Sequence, residues 1–292
     1  MSVVKCDKCA PLKYESLIEA ADYIKTKISF TPKVGIICGT GLGLVGKIVE
    51  NAIPIKYEEI PNFPVSGVEG HAGQLLLGYL SGVPVMVMQG RTHHYEGYPL
   101  WKCALPVRVM KLLGVTHLIV SNAAGGVNPK LNVGDIMLIK DHVNFMGFTG
   151  NNPLQGLNDK RFGPRFLSLT NAYNKKLIQI GKEVAEELNI ENRVKDGIFT
   201  CLGGPNFETP AEINFLKLAG IDAVGMSTIY EVITARHCEM EVLAFSLITN
   251  ITASEDNSDL EHDHDQNVDV GKSNEGLLQC FVKNVVEKIN KL

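Results

Sequence analysis

The stretch VPVMVMQGRTHHYEGYP, residues Val83–Pro99, indicates the fold class more directly than any other part of the sequence. Its first half is an apolar run rich in valine, typical of a buried strand. Its second half carries Arg91, His93, His94, Tyr95 and Glu96 directly after a glycine. Burying such groups is costly unless they have partners. An arginine two residues from a histidine offers a planar donor fork and a titratable ring to one anion. Alone, the stretch fits an anion site or a solvated turn.

Apolar strand-like runs alternate with helical patterns along the chain. Strands are predicted at residues 34–38, 83–89, 117–121, 135–141, 197–202, 223–226 and 242–249, and helices at 14–27, 99–113, 171–188, 210–218, 229–237 and 270–292. Most strand runs are continuously apolar, which indicates a largely parallel sheet covered on both faces. We therefore predict one α/β domain over residues 1–292, with helices flanking a mixed, mostly parallel central sheet and a flexible segment 1–12.

Composition narrows the class of protein. The net charge is −4, with 45% hydrophobic and 21% charged residues, which gives no electrostatic reason to expect nucleic acid or an anionic membrane as a partner. No apolar run approaches the ~18 residues of a membrane-spanning helix, and the N-terminus lacks the apolar core of a signal peptide. Five of the seven cysteines have apolar neighbours in the sequence: Cys38, Cys103, Cys201, Cys238 and Cys280. They are typical of reduced core thiols in a cytoplasmic protein.

The ends of the predicted strands carry the unusual residues. The segments are CGTGLG, GRTHHYEG, SNAAGG, LGGPNFET, VGMST and ITN. Ligands of open α/β sheets bind beyond the carboxyl ends of the strands, and glycine-rich turns let backbone N–H groups approach an oxyanion. Thr40 or Ser227 would add a hydroxyl donor. Phe207, Glu208 and Asn250 supply an aromatic ring, a carboxylate and an amide. This set predicts a small anion pocket beside a planar, hydrogen-bonding heterocycle, with no metal.

Three other motifs compete with this interpretation. Residues 41–46, GLGLVG, match GxGxxG after a strand, and Glu58 or Glu59 lies near the spacing of a ribose-binding acid, so a Rossmann dinucleotide site stays open. A P-loop is excluded because no Gly-Lys-Ser/Thr follows. Cys6 and Cys9 form a CxxC without a second ligand pair, which favours a frayed terminus over zinc. His262 and His264, in EHDHD, favour a solvated lid over a metal site.

From about residue 30 onward the chain resembles the trimeric class of purine nucleoside phosphorylases. The matching stretches are ICGTGLG, IPNFP, GHAG, MQGRTHHYEGYPLWK, LPVRV, NAAGGVNP, VGDIMLIKDHVN, RFGPRF, GGPNFET, AVGMST, EVITARH and FSLITN. The resemblance implies a purine salvage enzyme, a cytoplasmic homotrimer without a cofactor. It would cleave purine ribo- and deoxyribonucleosides, preferably 6-oxopurines such as inosine and guanosine. Phosphate would be the co-substrate, and the products would be the free base and (deoxy)ribose 1-phosphate.

The resemblance also assigns site residues. Phosphate would contact Thr40, His71, Arg91, His93, Ala123 and Ser227. Ribose would contact Tyr95, Met226 and His264, with Phe166 reaching in from a neighbouring subunit. The base would contact Phe207, Glu208, Val224 and Asn250. His93, Glu208, Asn250 and His264 would be the catalytic residues. Glu96 would hold the phosphate-site residues in place, and His94 would have no substrate role.

The sequence departs from the family pattern in places. Thr40 stands where the family usually has Ser, which keeps the hydroxyl. Asn206, Tyr230, Ile251 and Thr252 replace usual residues and are expected near the base or ribose pocket, which bears on substrate range. His262 is an alternative to His264. The related methylthioadenosine phosphorylases typically carry Asp at the Asn250 position, so Asn250 with Glu208 favours 6-oxopurines. A nucleoside-binding protein without catalysis remains an alternative of another class.

Overall fold

A computed structural model describes residues 13–39, 43–67, 72–252 and 264–292. Within them lies a nine-stranded sheet in the order β2-β3-β4-β1-β5-β8-β7-β6-β9. The strands are β1 Val34–Cys38, β2 Glu50–Lys56, β3 Gln74–Leu80, β4 Val83–Gln89, β5 His117–Gly126, β6 Ile136–Val143, β7 Val194–Cys201, β8 Ala223–Gly225 and β9 Glu241–Ile251. The predicted single-domain, mixed α/β class is confirmed.

The sheet closes on itself at one end. Strand β5 pairs with β1, with β8 and also with β9, so β5, β8, β7, β6 and β9 form a closed ring. Five pairings between described strands are parallel, and four are antiparallel: β2–β3, β3–β4, β5–β8 and β6–β9. The prediction of a mostly parallel sheet therefore holds by a narrow margin.

The helices form two groups around the sheet. They are α1 Tyr14–Lys25, α2 Leu100–Cys103, α3 Leu105–Leu112, α4 Phe145–Phe148, α5 Lys175–Glu187, α6 Pro210–Leu218, α7 Ile229–His237, α8 His264–Ser273 and α9 Glu275–Ile289. Helices α1, α2, α3 and α7 contact one another, as do α5, α8 and α9. The predicted helices 99–113 and 270–292 are each broken in two, at Ala104 and Asn274. Pro106 has no N–H to continue the helical hydrogen bonds from α2, and it lies in the first turn of α3.

Two strands escaped the sequence analysis. β2 is an edge strand with mostly exposed residues and a proline, Pro54, so its pattern is weak. β3 contains Gly78, where an added Cβ would lie 2.5 Å from the Glu50 carbonyl oxygen. The close approach occurs where the β2–β3 register shifts between Glu50 and Ile53, so the glycine accommodates a β-bulge.

The strand order excludes the dinucleotide alternative. β1 leads into a 3₁₀ helix, Gly43–Ile48, and then into β2, which pairs antiparallel with β3. A dinucleotide motif instead needs a strand, a helix and a second parallel strand in succession. Glu58 and Glu59 are exposed in a separate 3₁₀ turn. The GxGxxG match was therefore misleading.

The described residues test the predictions about the cysteines and about membrane-spanning helices. Cys38, Cys103, Cys201 and Cys238 are buried thiols as predicted, but Cys280 is exposed, because its position on α9 faces outward. No helix among the described residues is long and apolar enough to cross a membrane. Residues 1–12, with Cys6 and Cys9, lie outside the described residues, as do Thr40, His71 and most of the acidic loop.

Candidate active site

A cavity of about 720 Å³ opens where β4, β5, β7, β8 and β9 end or run into loops. Five of the six polar segments predicted at strand ends contribute to its wall. Ten of the predicted site residues line it: Arg91, His93, Tyr95, Ala123, Phe207, Glu208, Val224, Met226, Ser227 and Asn250. Residues that are distant in sequence thus meet at one edge of the sheet, as the positions of the strand ends predicted.

Of the other predicted site residues, the structure describes a side chain only for Phe166. Thr40, His71 and His262 lie outside the described residues, and of His264 only the backbone position at the start of α8 is described. Phe166 is 90% exposed and does not reach the cavity of its own chain. Its predicted role in a neighbouring subunit stays a prediction.

Arg91 is the buried cation of the site. Its side chain is 1% exposed, with Nε donating to Glu231 Oε1 at 3.0 Å and Nη1 donating to Ser227 Oγ at 3.0 Å. Burial raises the pKa of the Glu231 carboxyl, while the Arg91 charge opposes the rise. Two anchors fix the plane of the guanidinium at the cavity wall.

Ser227 and the start of α7 are positioned by a strained turn. Thr228 has φ +79° and ψ −54°, a conformation that a β-branched residue rarely adopts. The Ile229 N–H donates to the Ser227 carbonyl at 3.0 Å, which completes a γ-turn centred on Thr228. The Thr228 hydroxyl accepts from Asn122 Nδ2 at 2.8 Å. Such strain, typically about 1–3 kcal/mol, persists only where the surroundings fix it, and here it aims the Ser227 hydroxyl at Arg91.

His93 and Glu96 are joined across the turn that follows β4. Glu96 Oε1 accepts from the His93 backbone N–H at 2.6 Å and lies 3.4 Å from His93 Nδ1. Its Oε2 accepts from the Gly67 N–H at 2.8 Å. Burial raises the pKa of Glu96, but these hydrogen bonds outweigh it and lower the pKa overall. The expectation that Glu96 holds this turn in place fits these contacts.

The neighbours of His93 face different directions. The Tyr95 ring stacks on the His93 ring, with centroids 4.8 Å apart, and both line the cavity. The His94 ring instead forms a hydrogen bond between Nδ1 and the Tyr98 carbonyl at 2.8 Å and lies in the wall of two other cavities. His94 was predicted to have no substrate role, and its position away from the cavity agrees with this.

Phe207 and Glu208 precede a well-capped helix. Thr209 caps α6, exchanging hydrogen bonds with Glu212, and Pro210 occupies the first turn. Helix α6 packs on a small apolar cluster that contains Ile213, Leu216, Val127 and Val224. Burial raises the pKa of Glu208, its own backbone N–H lowers it, and the Glu212 charge adds to the rise. The Glu208 carboxyl is therefore held at the cavity by a rigid element.

Asn250 lies near the end of β9, opposite Gly125 of β5. Thr249 Oγ1 donates to Asn250 Oδ1 at 3.3 Å, so the amide nitrogen is the atom suited to a ring acceptor. An added Cβ at Gly125 would lie 2.8 Å from Thr252 Cγ2 and 3.3 Å from Asn250 Nδ2. The glycine therefore lets the two strand ends converge beneath the amide.

Of the four departures expected near the base or ribose pocket, only Thr252 lines the cavity. Asn206 is exposed, and its amide donates to the Phe207 carbonyl. Ile251 packs against the core. Tyr230 is 2% exposed behind the turn after β4, where its hydroxyl donates to the Thr92 carbonyl at 3.1 Å. Asn206, Tyr230 and Ile251 do not line the cavity, and their predicted effect on substrate range stays a prediction.

Three polar residues of the site were not predicted from the sequence. Glu231 was detectable as a lone acid in the apolar run IYEVITA. Asn122 lines the cavity and holds Thr228. Asn267, on α8, also lines the cavity, and its Oδ1 is buried without a hydrogen-bond partner among the residues that the structure describes; no motif marked it. Within the described ranges, no cluster of three or more His, Cys, Asp or Glu residues could hold a metal ion.

Comparison with known proteins gives one consistent family. A model of the Phosphorylase superfamily matches residues 33–287. The chain is 58% identical to a purine nucleoside phosphorylase of Anopheles gambiae over 277 residues, which cover 95% of this chain and 78% of that protein. A Schistosoma mansoni purine nucleoside phosphorylase solved with adenosine is 46% identical, with a TM-score of 0.91 and coverage of 94% and 97%. A Schistosoma mansoni purine nucleoside phosphorylase solved with inosine is also 46% identical, with a TM-score of 0.90. The match covers 94% of this chain and 96% of that one.

The contacts of Glu96 predict a pH-dependent contribution to stability. Its folded pKa lies below the ordinary value of 4.5, so the stabilisation is present above about pH 4.5 and is lost as the pH falls through the folded pKa. Wild type should exceed Glu96→Gln in free energy of unfolding at neutral pH, with the difference shrinking below about pH 4.5. Urea unfolding across this range measures it. Glu186→Gln, at an exposed position of α5, is the control; a pH-independent difference for Glu96→Gln would contradict the prediction.

Proposed function

The chain belongs to the purine nucleoside phosphorylases, and from that premise we propose that it catalyses the reversible phosphorolysis of purine nucleosides. The reaction converts a purine ribo- or deoxyribonucleoside and phosphate into free base and (deoxy)ribose 1-phosphate. We propose that 6-oxopurine nucleosides such as inosine and guanosine are the preferred substrates, and that the enzyme serves purine salvage without a cofactor.

One observation carries the proposal: the same cavity is lined by a buried cation and by an aromatic ring, a carboxylate and an amide. Arg91 and Ser227 are hydrogen-bonded to each other at one part of the wall. Phe207, Glu208 and Asn250 form another part. A phosphate and a purine nucleoside require this combination, because one carries charge and the other a flat ring with polar edges.

Phosphate would lie against Arg91, His93, Ser227 and the backbone of Ala123, with Thr40 and His71 completing its shell. Arginine gives two parallel N–H donors that match two phosphate oxygens. The Glu96 contact keeps the His93 segment in place. Cleavage of the glycosidic bond leaves positive character on the ribose, and a phosphate anion held beneath the sugar stabilises it.

The purine would stack on Phe207 and hydrogen-bond to Glu208 and Asn250, with Val224 beneath it. As the bond breaks, negative charge develops on the departing base. The Asn250 amide would donate to N7, and Glu208 would accept from the ring N–H edge. Preorganised groups of this kind stabilise charge where it develops. Tyr95 and Met226 would flank the ribose, and His264 would reach its 5′-hydroxyl.

We further propose a cytoplasmic homotrimer in which Phe166 closes the site of a neighbouring subunit. Large apolar side chains are exposed at Phe166, Leu157 and Phe148, which supports a contact between subunits. Four buried thiols, none of them disulfide-bonded in the described ranges, support a reducing compartment. Subcellular fractionation tests the compartment.

The assay that tests the function follows hypoxanthine release from inosine. Release should require inorganic phosphate and yield ribose 1-phosphate. Inosine should be cleaved with a higher kcat/KM than adenosine or methylthioadenosine. Activity on methylthioadenosine alone would favour the related phosphorylases, and tight binding of hypoxanthine without turnover would leave a binding protein.

Within this assay, Asn250→Ala should lower kcat for inosine by a factor on the order of 10²–10³, the usual effect of removing one such donor. The reason is the loss of the hydrogen bond to the departing base. Asn192→Ala, at an exposed position outside the cavity, is the matched control. An unchanged kcat for Asn250→Ala would refute the role in stabilising the leaving group.

Phe166→Ala tests the trimer. The variant should keep the trimeric mass in native mass spectrometry and show a KM for inosine raised about tenfold, the effect of losing one buried aromatic contact. Leu218→Ala, at an equally exposed position, is the control. Coexpression of Phe166→Ala with Asn250→Ala should recover activity. In a mixed trimer, a site can combine the intact Asn250 of one subunit with the intact Phe166 of its neighbour. A monomeric wild type would overturn this arrangement.

A further inference from the structure

The turn that carries Arg91 is held from behind by two buried phenols. Tyr57 Oη donates to the Gly90 carbonyl at 2.7 Å, and Tyr230 Oη donates to the Thr92 carbonyl at 3.1 Å. These carbonyls flank Arg91 on both sides. Tyr57 and Tyr230 are 1% and 2% exposed, and neither lines the cavity.

We propose that Tyr57 and Tyr230 are positioning residues that hold the Gly90–Thr92 backbone in the geometry required for phosphate binding. The proposal rests on the proposed function and assigns to it two residues that would not touch the substrate. They would act through Arg91 and His93.

The position of the turn explains why it needs such support. β4 ends at Gln89, so the carbonyls of Gly90 and Thr92 lie beyond the sheet ladder. A buried carbonyl without a donor is unfavourable, and the phenols supply those donors. Gly90 has φ +101°, which lets the chain bend sharply between the strand and Arg91.

Both phenols remain neutral donors. Burial, as the largest cause, raises the pKa of Tyr57 and of Tyr230 well above the ordinary value of 10.0, and the nearby Glu231 charge adds to both rises. Their hydrogen bonds are therefore present across the working pH range. Removing either hydroxyl changes no formal charge, so an effect on phosphate affinity would come through geometry.

The two anchors come from separate parts of the fold. Tyr57 follows edge strand β2 and packs on Phe63, with ring centroids 5.1 Å apart. Tyr230 lies in the first turn of α7, next to Glu231, which binds the Arg91 side chain. Helix α7 thus fixes the backbone of the turn through Tyr230 and the Arg91 guanidinium through Glu231. The segment after β2 fixes the same backbone through Tyr57.

The test compares Tyr57→Phe, Tyr230→Phe and Tyr173→Phe. Tyr173 is the matched control because it is also buried and its hydroxyl shares a hydrogen bond with His142, outside the cavity. KM for phosphate and KM for inosine are measured with kcat, together with phosphate affinity by calorimetry and the melting temperature.

Tyr57→Phe and Tyr230→Phe should each raise KM and Kd for phosphate about 3- to 10-fold, the range for one lost hydrogen bond, with KM for inosine changed less than about twofold. Tyr173→Phe should lower the melting temperature by a similar amount without raising either phosphate constant. Unchanged phosphate constants in both variants, equal rises in KM for inosine, or an equal effect of Tyr173→Phe would overturn the inference. A wild type that neither binds phosphate nor cleaves inosine would instead refute the proposed function.

Discussion

Arg91 carries a permanent charge on a side chain that is 1% exposed, and a protein tolerates such a charge only when it is paired and hydrogen-bonded. Glu231 supplies the counter-charge and Ser227 a further acceptor. Breaking a buried pair by removing one partner typically costs on the order of 3–5 kcal/mol. The position of α7 relative to β4 is therefore constrained by the requirement that this carboxylate meet this guanidinium. The cavity wall around Arg91 and the core behind it depend on the same contact.

The chain reaches that arrangement through local strain at Thr228. The γ-turn there brings the Ser227 hydroxyl toward Arg91 and starts α7 so that its first turn faces the buried side of the site. Asn122 of β5 holds the turn through the Thr228 hydroxyl. Three elements thus share one polar network, and a shift of any of them would leave a buried polar group without its partner. A rigid network of this kind orders the Arg91 side chain in advance, so less side-chain freedom would be lost in the phosphate binding proposed above.

The sequence predicted the cavity residues well because strand ends are easy to locate. Apolar runs identified most strands, and parallel strands bring their carboxyl ends to one edge, so Arg91, Ser227 and Asn250 could be placed together. The sequence did not reveal the second layer. Tyr230 was expected at the base pocket, since a residue three positions after Ser227 has no pattern that tells whether it faces the ligand or the core. Glu231 was predicted only as a residue of a helix. Its buried ion pair could not be predicted, because the partner, Arg91, lies 140 positions away in the sequence.

Two groups of residues that line the cavity differ in how they are built. Around Arg91 the groups are buried and hydrogen-bonded through several elements, whereas Phe207 is 37% exposed and its neighbour Asn206 faces outward. Phosphate is the same in every turnover and gains from a fixed site. The base varies among nucleosides, and its flat ring can be bound by stacking on a partly open side chain and by a few polar contacts. In the binding mode proposed above, stacking on Phe207 does not distinguish a 6-oxo from a 6-amino group, so selection among purines would come from the polar edge formed by Glu208 and Asn250.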